Sequence, residues 1–148
     1  MKKIIFYLLI CLGIFNSGAN LYSRNDKLVF KKAVSHINSA MHYLRVAHNN
    51  RRKVAYTVKF FKQAMVFLNL AFLDLQKIQK SFKRARRTSF RDKVLTKAKA
   101  MSEQVHRVYY GISKHVNYNF KRRNRKHTKY WIRGMNKHLN LALKAYNK

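Results

Sequence analysis

The chain has 148 residues and sets 34 Lys plus Arg against four acids, a formal net charge of +30. It is 47% hydrophobic and 14% aromatic, too apolar for a disordered basic tail and enough for the core of one domain. Pro is absent and Gly occurs four times, so the residues that punctuate hairpins and tight turns are missing, which argues against a β-rich fold.

Residues 1–19 read as a signal peptide. Lys2 and Lys3 precede an apolar run from Ile4 to Phe15, and Ser17-Gly18-Ala19 offers the small residues a signal peptidase requires. The run is short for a membrane anchor, which takes about 20 residues. A lipid-modified Cys11 is disfavoured by the bulky Leu8-Leu9-Ile10 before it. Cleavage after Ala19 leaves a basic domain, 20–148, without cysteine. Disulfides, thiolate metal sites and thiol nucleophiles are then excluded.

A first helix is expected from about Lys27 to His48, capped by Ser23 or Asp26. Its stripe is Phe30, Val34, Ile37, Met41, Leu44 and His48. Asn49-Asn50 is the expected turn. A second helix starts near Arg51 and carries Val54, Val58, Phe61, Met65, Leu68, Phe72, Leu75, Ile78 and Phe82. Its middle, Ala64 to Leu75, is apolar on nearly every side, which predicts a central helix covered by neighbours. Ser89 with Asp92 resembles a capping pair for a third helix. That helix carries Val94, Ala98, Met101, Val105, Val108, Ile112 and Val116 and ends near 117–119. A basic connector, 121–127, follows. Thr128 is the expected cap of a shorter fourth helix with Trp131 or Ile132, Met135, Leu139, Ala142 and Tyr146 inward, and Gly134 weakens it by about 1 kcal/mol. The fold class is all-α: an up-and-down antiparallel helical bundle of three long helices and a shorter fourth after the signal segment.

Catalytic chemistry is poorly supplied. The carboxylates are Asp26, Asp74, Asp92 and Glu103. Asp92 and Glu103 would stand roughly 16 Å apart along one helix, too far for a hydrolytic pair. Asp92 reads as a cap and Glu103 as a surface ion-pair partner. Asp74, within an apolar run, requires a cation, expected to be a Lys or Arg on a neighbouring helix. His36, His42 and His48 recur every six residues and so rotate by about 240° each time, off any common face. No metal site follows from them. The chain also lacks a Gly-x-Ser-x-Gly elbow and a Gly-rich phosphate loop. The expectation is a non-enzymatic protein with no catalytic residues, metal or cofactor.

The basic residues concentrate in two clusters, which are the expected anion-binding sites. One is Lys80, Lys83, Arg84, Arg86, Arg87 and Arg91. The other is Lys121, Arg122, Arg123, Arg125, Lys126 and Lys129, running into Tyr130 and Trp131. Arginine forks suit phosphate and sulfate, and an adjacent aromatic can stack on a base or sugar. Trp131 also has core spacing. In an up-and-down bundle the two clusters fall at opposite ends.

The functional expectation is an exported, periplasmic or secreted protein that binds an anionic polymer or surface electrostatically. Cell-wall polyanions, lipopolysaccharide or anionic lipid, sulfated glycans and extracellular DNA all fit. The alternatives are a cationic periplasmic chaperone for protein partners, which needs an exposed apolar groove, and a nucleic-acid-binding protein. The sequence leaves the oligomeric state open.

Overall fold

The computed structural model describes the backbone of residues 2–118 and 125–147, and the side-chain surroundings of residues 25–116 and 127–147. Its helices are α1 (Lys2–Asn49), α2 (Val54–Lys83), α3 (Ser89–Tyr118) and α4 (Arg125–Asn147). They form a ring in which α1 packs on α2, α2 on α3, α3 on α4, and α4 on α1. Tyr43 stacks on Phe67, Gln79 meets Ala98, and Lys97 meets Tyr146, so each helix runs antiparallel to the one before it. The protein is an all-α, up-and-down helical bundle.

The apolar stripes form the core. Ile37 and Leu44 of α1, Phe61, Leu68 and Leu75 of α2, Met101, Val105 and Ile112 of α3, and Leu139 of α4 are fully buried. Each such side chain contributes on the order of 1.5–3 kcal/mol. The opposing surface repulsion is screened by salt beyond about 10 Å.

Four local expectations are corrected. α1 does not start near Lys27. It runs unbroken through Ser23 and Asp26, so neither is a cap; no Gly or Pro between Asn20 and Lys27 breaks the helical ladder. α2 is not covered all round. Its main neighbours are α1 and α3, which leaves Val66 (54%), Leu70 (38%) and Leu73 (43%) exposed on its outer face. The cap of α3 is Thr88, one residue before the expected Ser89: Thr88 Oγ1 accepts the Arg91 N–H at 3.1 Å. α4 likewise begins at Arg125, which puts Thr128 inside its first turn, buried.

The turns between helices are closed by side chains. Thr57 Oγ1, fully buried, lies 3.0 Å from the carbonyls of both Asn50 and Lys53, and Asn50 Nδ2 donates to the Val46 carbonyl at 2.9 Å. At the far end of α2, Arg91 reaches back from α3. Its Nε donates to the Phe82 carbonyl at 2.6 Å and its Nη2 to the Lys83 carbonyl at 3.1 Å. The Phe82 carbonyl also accepts the Ala85 N–H at 3.3 Å, so Arg91 adds a second donor there and supplies one at the Lys83 carbonyl, where the helix itself offers none. Gly111 admits α4 closely, because a Cβ there would lie 2.8 Å from Met135 Cε.

Candidate polyanion-binding surface

The antiparallel order gives the bundle two ends. One end gathers the C-terminus of α2, the 84–88 connection and the start of α3. Lys80, Lys83, Arg84, Arg86 and Arg87 are all exposed there. Lys80 and Lys83 stand in the last turn of α2, where cations also complement the helix dipole. Arg91, expected among the contact residues, is drawn inward by the Phe82 and Lys83 carbonyls, with its side chain 17% exposed. It shapes the end of α2 more than it presents charge.

The opposite end carries the α3-to-α4 passage. Lys121, Arg122 and Arg123 lie outside the described residues. Arg125 and Lys126 belong to the first turn of α4, and Lys129 is half-buried. The α1-to-α2 turn adds Arg52 and Lys53, both exposed, to this end. Those two were not among the expected contact residues. Their signal was the run Arg51-Arg52-Lys53 in a turn, which falls beside the second cluster only once the helices are folded back on each other. Tyr130 is 66% exposed. Trp131 instead packs on α3, 4.2 Å from the His115 ring and nearly parallel to it, with Phe61 edge-on at 5.5 Å. Burial pushes His115 below its ordinary pKa.

Acidic groups do little to offset this surface. Asp74 is buried at 7% exposure. Its partner on the neighbouring helix is not the Lys or Arg expected: His36 Nδ1 of α1 lies 3.3 Å away, while Lys77 of the same helix donates at 3.2 Å. The register of α1 against α2 places His36 there. Asp92 meets Arg87 and Arg91, each at 3.5 Å, and Glu103 accepts from Arg107 at 2.6 Å one turn along α3. Asp26 has a buried Oδ2 without a hydrogen-bond partner, and burial raises its pKa. Among the described residues, no three His, Cys, Asp or Glu side chains gather where they could hold a metal ion. Nor is any helix there long and apolar enough to cross a membrane.

Comparison with protein-family models, with curated proteins and with solved structures found no match to this chain.

Proposed function

We propose that the protein is exported and acts, without catalysis, as a docking module for an anionic polymer or surface. The observation that supports this most is the disposition of charge. Asp74 is buried, Asp92 is taken up by Arg87 and Arg91, and Glu103 by Arg107. Among the described residues, Lys80, Lys83, Arg84 and Arg86 at one end and Arg52 and Lys53 at the other are thus exposed without an acidic partner. Ordinary soluble surfaces mix both signs. A polyanion relieves the repulsion and gains from counterion release, so binding weakens steeply with salt.

The test is the thermal midpoint and the affinity of the purified protein with heparin, DNA and a teichoic-acid-type polymer across a salt series. One polymer raising the midpoint at low salt, with the rise abolished at high salt, supports the reading and identifies the ligand class. Glutamine at Lys80, Lys83, Arg84, Arg86 and Arg87 should flatten the salt slope. Unchanged affinity after that replacement, and after its counterpart at the other end, would overturn the assignment.

The exposed stripe Val66, Leu70 and Leu73 favours a second reading, a holdase for apolar client segments. Client binding that survives high salt would select it.

A further inference from the structure

Beside the first basic end, the bundle is incompletely filled. A cleft of about 1160 Å³ opens between α1, the first three turns of α3 and the last turn of α4, slightly larger than the usual small-molecule range of about 300–1,000 Å³. Its walls include Phe30, Phe90, Val94, Ala100, Ala145 and Tyr146. Phe30 and Tyr146 pack ring to ring at 5.9 Å, and Phe90 leans on Phe82 at 6.3 Å while remaining 56% exposed. A large aromatic side chain left half in water marks the lip of the cleft.

The polar lining is mostly basic. Lys27, Lys31 and Lys93 are exposed beside the apolar walls. Lys97 is held in place, its Nζ donating to the Tyr146 carbonyl at 2.8 Å and lying 5.6 Å from the centre of the Tyr146 ring. Two acids share the lining, Asp26 and Asp92. Asp92 already faces Arg87 and Arg91, which leaves Asp26 alone against four lysines. An apolar trough with a net cationic mouth matches a ligand with an apolar chain and a negative head. A second copy of this chain, carrying the same +30, would be repelled from it.

We propose that this cleft binds one monomeric long-chain anionic amphiphile, its hydrocarbon between Phe30, Val94, Ala100 and Tyr146 and its head group among Lys27, Lys31, Lys93 and Lys97. This goes beyond polymer docking, and it stands or falls separately, because heparin affinity measured on the same variants reports the exposed basic ends.

The probe is sodium laurate below its micelle concentration, compared with dodecyltrimethylammonium and followed by calorimetry and by the fluorescence of Phe90→Trp, a substitution at an exposed position. The emission of the unsubstituted chain is subtracted; its Trp131 packs on Phe61 and His115, away from the cleft. The expected result is saturable binding of one laurate per chain, with a blue shift of the Trp emission and affinity about tenfold above that for the cationic amphiphile. Ala100→Trp, which fills the trough, should reduce laurate affinity by about tenfold or more with heparin affinity unchanged. A combined Lys27→Gln and Lys93→Gln variant covers the case in which the filled variant fails to fold, and should lose the preference for laurate over the cation.

Four outcomes overturn the proposal. An unmoved Trp emission without saturable heat would make the cleft an unfilled end of the bundle. Equal affinity for the two amphiphiles would remove the role of the lysines. Undiminished laurate binding in a folded Ala100→Trp protein would place the ligand elsewhere. A response to phosphatidylglycerol vesicles without one to monomeric laurate would indicate adsorption to a bilayer instead.

Discussion

Arg91 of α3 holds the end of α2 through Phe82, its Nε donating to the Phe82 carbonyl at 2.6 Å while Nη2 takes the next carbonyl, that of Lys83. One side chain thus closes a helix end and fixes the angle at which the chain turns back. Arg91→Gln should lower stability by about 1.5–3 kcal/mol, the range for hydrogen bonds involving a charged group. Arg86→Gln, in the exposed connection next to it, should leave stability within about 0.5 kcal/mol. Polyanion affinity should order the pair the other way, with Arg86→Gln reducing the salt slope. Urea unfolding and a salt-dependent heparin titration on both variants check this.

Asp74 has two polar neighbours of unequal consequence, Lys77 and His36. Lys77 is 71% exposed at the side chain, whereas His36 is 26% exposed and belongs to another helix. Solvent screens the first contact and much less the second. Lys77→Ala should therefore cost no more than about 0.5 kcal/mol. Asp74→Ala should cost about 1–3 kcal/mol, because it removes the carboxylate that faces the buried His36 Nδ1. A double-mutant cycle between His36 and Asp74 in urea should give a coupling of about 0.5–2 kcal/mol; a cycle near zero would mean that the two groups are merely adjacent.

One part of the pH dependence comes from His115, separate from the acid-range contribution of Asp26. Burial among Phe61 and Trp131 lowers its pKa from the ordinary value of 6.5, so folding favours the neutral ring. As pH falls, the unfolded chain takes up this proton before the folded one does. The stability due to His115 is thus fully present above about pH 6.5 and is lost as pH falls through the lower, folded-state value. His115→Phe, which keeps a ring against Trp131, should flatten the fall in thermal midpoint across that acid range. A midpoint profile that the substitution leaves unaltered would assign the dependence to other groups.

Most of the architecture was legible in the sequence, because three- and four-residue spacing is a direct record of helix faces. Phe61, Leu68, Leu75 and Ile78 recur on one face of α2 and all four are buried. Composition could not tell which side of α2 would lack a neighbour. Leu70 and Leu73 are as apolar as Leu68, and only the ring order leaves them in water. The cap at Thr88 was missed by one residue, since Thr88 and Ser89 carry the same hydroxyl chemistry and the backbone decides between them. The partner of Asp74 depended on the register of α1 against α2. Among the expected anion-binding residues, the exposed positions from Lys80 to Arg87 were readable from charge density alone. The withdrawal of Arg91 required knowing where the α2 carbonyls end. The cleft had no sequence signature, because its walls come from three separated segments that meet only in the folded bundle.

The separation of the two basic ends has a further consequence. α2 has 30 residues, so its ends stand about 45 Å apart. On the proposed docking function, a body with a polyanion site at each end can hold two different strands at once instead of lying along one. Mixed with a long polyanion, it should behave as a crosslinker. Turbidity should rise to a maximum near charge equivalence and clear again when either component is in excess.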